Sequence, residues 1–178
     1  DGSAIAAGDV VLAAASNGVH TNGYTLIRWL LERKPELRDL KVGATSFIEA
    51  VLAPHRCYNL PLQEAFQSLS VHGAAHITGG GLVDNTRRIL PPGVDLRIDL
   101  GAIRILPVFG AIREAGGIDD AEMLRTFNLG VGLVAVLPRA DAAAFTEIFN
   151  GYGDAVYQIG EAVVGAGNIR LEGRLAWG

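Results

Sequence analysis

The sequence predicts an α+β fold, a mixed β-sheet with helices layered on it. Three observations carry this. Apolar runs of strand length alternate with stretches of helical periodicity, as in layered α/β architectures. The alternation is irregular, so a purely parallel doubly wound sheet does not fit. Two strand-like segments, Ala155–Val163 and Ile169–Trp177, follow each other directly near the end of the chain.

Gly8–Ala15 (GDVVLAAA) is an apolar run after a Gly-Asp turn signal and reads as a buried strand. Ser16–Gly23 (SNGVHTNG) is a polar loop. Tyr24–Arg33 then places Leu26, Ile27, Leu30 and Leu31 on one helical stripe, with Thr21 or Asn22 as the capping residue. Thr45–Ala53 is a second helix. Ser46 and Glu49 form a capping box, and Pro54 ends it. Pro61 opens a third helix through Leu69, since proline suits a first helical position. Val71–Ile77 is a strand that runs into Thr78-Gly79-Gly80-Gly81 and a helix over Leu82–Leu90. Val94–Asp99 (VDLRID) alternates as a half-exposed strand does. Pro107–Ala115 is helical and Ala121–Arg125 a short helical turn. Gly130–Leu137 (GVGLVAVL) is the clearest buried strand, and Ala140–Phe149 a helix. No repeat or flexible linker divides the chain, so residues 1–178 are expected to form a single domain.

Composition excludes several classes. The 178 residues carry a formal charge of −4, with no dense Lys/Arg stripe, so no nucleic-acid track is expected. No apolar stretch approaches the roughly 18 residues of a membrane span, and no basic segment with an apolar run opens the chain as a secretion signal. A single cysteine, Cys57, rules out a disulfide within the chain. Together these suggest a cytoplasmic protein. The chain starts Asp1-Gly2-Ser3, without Met, and reads as a piece of something longer.

Three segments carry candidate chemistry. In His76-Ile77-Thr78-Gly79-Gly80-Gly81-Leu82-Val83-Asp84-Asn85, consecutive glycines let backbone approach a ligand, and the following helix turns its first amides into the loop. Thr78 adds a hydroxyl, and Asn85 reaches back one turn. No Gly-Lys-Ser/Thr follows and the glycine spacing is not that of a dinucleotide fold, which leaves a simpler phosphate loop or a tight turn. The Ser16–Gly23 loop offers hydroxyls, amides and an imidazole, and reads equally as a polar turn with side-chain caps. Arg125 and Asn128 precede a buried strand, where Arg125 reads as a phosphate clamp or a surface ion pair.

Among the histidines, His76 lies against the positive end of a helix, which disfavours its protonation. His20 sits mid-loop. These two are the acid/base candidates. His55 and His72 read as structural or surface residues. No metal site is expected, because His72 and His76 on a strand lie too far apart and lack a third ligand.

Four segments, SNGVHTNGYTLIR, LAPHRCY, HGAAHITGGGLVDNTRRILP and EMLRTFNLGVGLVAVLP, resemble in order and spacing the C-terminal domain of the phosphoribosylformylglycinamidine cyclo-ligase family, also called aminoimidazole ribonucleotide synthetase. Two positions depart from the family pattern. The family's Leu-x-Pro-Thr-Arg-x-Tyr segment carries His55 in place of threonine, and Asp84 stands for the usual glutamate.

The resemblance implies an ATP-dependent ligase of purine synthesis. ATP phosphorylates the amide oxygen of formylglycinamidine ribonucleotide, an amidine nitrogen closes the imidazole ring, and phosphate leaves. It implies that ATP and Mg2+ are held mainly by an N-terminal domain missing from this chain, that the parent enzyme is a homodimer, and that the isolated chain is inactive. The site it implies has Thr78, Gly79, Gly80, Gly81 and Asn85 on a phosphate, with Asn22, Gly23 and His20 on the opposite wall. Arg56, Arg125 and Asn128 are further binding candidates, and His20 or His76 assists proton transfer. Other readings stay open: a non-catalytic ribose-phosphate-binding module, another ATP-dependent member of the same superfamily, or a structural fragment with empty loops.

Overall fold

A computed structural model describes residues 1–177. Its centre is a six-stranded sheet in the order β4-β6-β1-β7-β5-β8. The strands are β1 (Val10–Ala15), β4 (Gly73–His76), β5 (Val94–Asp99), β6 (Val131–Leu137), β7 (Val156–Val164) and β8 (Ile169–Glu172). All neighbours are antiparallel except β5 and β8, which are parallel. The mixed sheet expected from the sequence is therefore present. A small hairpin of β2 (Lys41–Val42) and β3 (Thr45–Ser46) lies outside it.

The helices are α1 (Tyr24–Arg33), α2 (Phe47–Val51), α3 (Asn59–Ser68), α4 (Gly81–Arg87), α5 (Pro107–Gly116), α6 (Asp120–Thr126) and α7 (Ala142–Gly151). They cover both faces of the sheet. On one face Phe145 and Phe149 of α7 and Ala65 of α3 pack with Val10, Leu12, Leu133, Ala135 and Leu137. On the other, Ile27 and Leu30 of α1, Phe47 of α2, Phe109 and Ile112 of α5 and Met123 of α6 pack with Val11, Ala13, Val134 and Val136. Strand β6 is buried along its whole length because alternate residues serve opposite cores. That explains why it reads as an unbroken apolar run rather than an alternating one.

Several expected boundaries shift for identifiable reasons. The capping box of Ser46 and Glu49 is present, but it starts the helix at Phe47 and leaves Thr45 and Ser46 to pair with Lys41 and Val42. Pro61 is the third residue of α3 rather than the first. Strand β8 ends at Glu172, five residues before the expected end at Trp177. Helix α1 has no side-chain cap. Its N-cap is Gly23 in the left-handed region, and the side chains of Thr21 and Asn22 instead donate to the His20 carbonyl.

The two last strands do not pair with each other. The chain leaves β7, crosses the start of β5, and returns along its far side as β8. Asp95 holds the crossing, and it is wholly buried in a strand that the sequence suggested was half exposed. Its Oδ1 accepts the amides of Ala166 and Asn168 at 2.7 and 2.8 Å, and its Oδ2 accepts from Arg170 Nε at 2.6 Å. A Cβ on Gly165 would lie 2.0 Å from the Asp95 carboxyl carbon, so only glycine passes there.

Candidate functional site

The site forms where the loop after β1, the segment before α3 and the loop after β4 meet. Strands β1, β6 and β4 are neighbours, so their ends bring together residues far apart in sequence. In β6 the pairing slips, so that Ala14 opposes Leu133 and Ala15 opposes Val131. The extra residue, Gly132, makes a bulge, a device that re-aims a strand beside functional sites. A Cβ there would sit 2.0 Å from the Tyr58 hydroxyl and 3.0 Å from His20 Cε1. Glycine lets both rings press onto the strand. Tyr58 donates to the Ala15 carbonyl at 2.7 Å, and burial pushes its phenol up.

The β1 loop is strained. His20 and Thr21 both adopt positive φ, 50° and 65°. The left-handed region is rare for a β-branched residue and costs about 1–3 kcal/mol per position. The surroundings hold it in place. Asn128, buried, accepts from Ser16 Oγ and the Gly130 amide at 2.8 Å each, and donates to the Gly18 carbonyl at 2.9 Å. Asn17 donates to the Pro54 carbonyl at 2.9 Å, and its Oδ1 lies 2.7 Å from His20 Nε2.

His20 is buried, and its ring is stacked on His55 with centroids 4.1 Å apart. His55 Nε2 lies 3.0 Å from His76 Nε2. Burial, and then the neighbouring His55, His76 and Arg56, push His20 down to about 4. His76 is lowered too, by desolvation and by His55. The shift at His76 has the direction expected of it, with partial burial as its main cause and His55 second. His55 corrects the sequence reading, which gave it no company. His72 does keep a structural role, with Nδ1 2.7 Å from Asp9. An open cleft of about 470 Å³, lined in part by His55, Arg56, Cys57, Tyr58 and His76, leads to the cluster.

The glycine loop abuts this region. Gly80 and Gly81 have φ of 95° and 65°. A Cβ on Gly81 would lie 1.8 Å from the Leu124 carbonyl, whereas one on Gly79 would meet only Asn22 Oδ1, at 3.6 Å. Gly79 is the glycine of the loop that faces the β1 loop, and Asn22 is its counterpart. Asn85 is buried and does reach back, but to the protein. It donates to the Gly81 carbonyl at 2.7 Å and, at 3.3 Å each, to those of Thr78 and Gly79, while accepting from Thr78 Oγ1 at 3.0 Å. The Gly81 amide in turn donates to the Thr78 carbonyl at 3.0 Å, so Gly79 and Gly80 carry the loop amides left for a ligand.

Several other expected ligand groups are committed elsewhere. Arg56 is paired with buried Asp154 and the Gly153 carbonyl, a geometry that spends its fork within the protein. Arg125 is largely exposed and pairs with Glu122 one turn earlier on α6. Asn128 braces the β1 loop. Gly23 is glycine because a Cβ would lie 2.1 Å from the Phe127 ring. Sequence reasoning missed His55, Tyr58, Asn17 and Gly132. The visible signal was the LAPHRCY segment, which places His55 and Tyr58 three residues apart.

Comparison with known proteins identifies the family. The family described as AIR synthase related protein, C-terminal domain, matches residues 6–171. Phosphoribosylformylglycinamidine cyclo-ligase of Paraburkholderia phymatum is 44% identical over 160 residues, which is 90% of this chain and 45% of that protein. The same-named protein of Methylobacillus flagellatus is 42% identical over 90% of this chain and 46% of its own length. The chain therefore spans just under half the length of these relatives. Among solved structures, the hydrogenase maturation protein HypE of E. coli superposes with a TM-score of 0.66 at 23% identity, over 97% of this chain and 49% of that one. Thiamine-monophosphate kinase of Stenotrophomonas maltophilia gives 0.63 at 18%, over 97% and 52%. At these identities the likeness is one of fold. The family match over residues 6–171 places the chain in the AIR synthase related family, as a C-terminal domain.

Proposed function

We propose that this chain is the substrate-phosphate half of an ATP-dependent cyclo-ligase that converts formylglycinamidine ribonucleotide to aminoimidazole ribonucleotide. The observation that carries the reading is the apposition of two loops, with Asn22 of one against Gly79 of the other. The relatives at 42–44% identity bear the cyclo-ligase name, which supplies the reaction.

In this reading the amides of Gly79 and Gly80 bind the ribose 5′-phosphate, and Asn22 lines the facing wall. Thr78 and Asn85 shape the loop rather than touch the ligand. His20 is neutral at pH 7 and His76 is lowered in the same direction, so either imidazole can accept a proton as the ring closes. Burial of His20 favours the more accessible His76 for direct transfer, with His20 acting behind it.

ATP and Mg2+ belong to the N-terminal half of the parent enzyme, which forms the homodimer.

Calorimetric titration of the chain with formylglycinamidine ribonucleotide, with ATP in parallel, tests the division. Substrate binding that perturbs the Gly79–Gly81 amides, without ATP binding, is expected. ATP binding alone overturns it. In the two-domain enzyme, His20→Ala and His76→Ala are expected to cut turnover by about 10²-fold or more. Near-normal rates in both remove histidine catalysis.

A non-catalytic ribose-phosphate-binding module is the second reading. It is favoured by the pairing of Arg56 within the protein, which leaves fewer charged groups for chemistry. Substrate binding with unchanged turnover in both histidine variants selects it.

A further inference from the structure

The histidine cluster carries an inference that the cyclo-ligase reading does not need. His20, His55 and His76 each offer one ring nitrogen, and these nitrogens lie within 4.8 Å of one another. They come from three separate segments: the strained β1 loop, the stretch before α3 and the end of β4. The Nε2 atoms of His55 and His76 are 3.0 Å apart. Two imidazoles bound tetrahedrally at Zn–N distances of 2.0–2.1 Å have nitrogens about 3.3 Å apart.

The shortest polar contact of the His20 ring, to Asn17 Oδ1, selects one tautomer. Asn17 Nδ2 donates to the Pro54 carbonyl, so Oδ1 is the atom turned to His20. At 2.7 Å it accepts a hydrogen bond from Nε2–H, a far shorter contact than those of the Asn17 and Arg56 amides, which approach Nε2 at 3.4 and 3.5 Å. Nδ1 then carries the lone pair, and it is buried without a hydrogen-bond partner. Ligating histidines show this arrangement, with the second nitrogen donating to an oxygen behind it. A buried acceptor with no partner is costly, which gives the cluster a reason to take up a cation.

We propose that His20 Nδ1, His55 Nε2 and His76 Nε2 form a binding site for a first-row transition-metal ion of the zinc class, contrary to the sequence expectation of no metal. All three donors are imidazoles, which suit Zn2+, Ni2+ and Cu2+ and not Mg2+ or Ca2+. His20 and His55 are stacked at 15°, so ligation requires His55 to turn about its side-chain torsions. Its exposure on a loop permits this, and the adjoining cleft admits the ion and a water as fourth ligand. The ion occupies the same imidazoles as the proposed proton transfer, which makes it an inhibitor of that step.

The test is competition between the chain and a chromophoric chelator for Zn2+ at pH 7.5, with Mg2+ as a control. One Zn2+ per chain with a micromolar or tighter Kd is expected, and no displacement by Mg2+. His55→Thr and His76→Ala should each weaken binding at least about 10-fold, with circular dichroism unchanged. Because His55 is exposed, His55→Thr does not threaten the fold and keeps the test decisive should His76→Ala unfold. No stoichiometric binding, or binding unaltered by His55→Thr, overturns the proposal. The readout is independent of substrate, so it stands or falls apart from the cyclo-ligase reading.

Discussion

Asn128 Oδ1 accepts a hydrogen bond from Ser16 Oγ at 2.8 Å across 112 positions of sequence, and through it the start of β6 fixes the loop that carries His20. The same side chain serves the Gly18 carbonyl and the Gly130 amide. Replacing it by alanine leaves three buried polar groups without partners. We expect Asn128→Ala to lower stability by about 2–3 kcal/mol, read by urea unfolding. Asn128→Asp retains the acceptor but sets a buried carboxylate oxygen against the Gly18 carbonyl, and should lose at least as much at neutral pH. A smaller loss would show that the acceptor alone carries the brace.

The glycine loop separates packing from binding. Gly81→Ala adds a Cβ 1.8 Å from the Leu124 carbonyl at positive φ, and should cost more than about 2 kcal/mol. Gly79→Ala meets nothing closer than 3.6 Å and should stay within about 0.5 kcal/mol of the parent. A methyl facing Asn22 nevertheless occupies the space between the loops, so Gly79→Ala should weaken substrate binding at least about 10-fold in calorimetry. A stable Gly79→Ala protein with full affinity would move the phosphate elsewhere.

Gly132 and Tyr58 form a coupled pair. Gly132→Ala should cost about 2 kcal/mol or more, because its Cβ meets the Tyr58 hydroxyl at 2.0 Å and the ring carbon behind it at 2.7 Å. Adding Tyr58→Phe removes the nearer atom. A double-mutant cycle should therefore give a favourable interaction energy of about 0.5–2 kcal/mol for the combined change. Strict additivity would mean that the bulge moves to absorb the methyl.

Acid stability should report on Asp95. Hydrogen bonds from the Asn168 and Ala166 amides and from Arg170 hold its carboxyl below its ordinary value of 3.8. A lowered folded value means that the unfolded chain binds the proton first. The stabilisation is complete above the unfolded value and is lost as pH falls through the folded one. Unfolding monitored from pH 6 downward should show stability falling below about pH 4, with a shallower fall in Asp95→Asn. The same slope in both would assign the acid limb to other carboxylates.

The sequence by itself determined the class of the fold and most of its elements. Periodicity is local, so β1, α1, β5, α5 and β6 stand within two residues of where their patterns put them. The Ser46–Glu49 capping box held because both partners lie within one turn. The family was legible too, since its motifs are contiguous strings. Tertiary structure decided what each polar residue does. Asn85, Asn128 and Arg56 look alike as ligand groups in sequence, yet each is consumed by partners that only the folded chain brings near. Asp95 reads as the exposed position of an alternating strand until the crossing from β7 to β8 buries it. His55 stood apart in sequence and gains His20 and His76 only because β1, β6 and β4 are neighbours in the sheet. Strand order is a non-local property that no local pattern encodes, and the site is assembled across it.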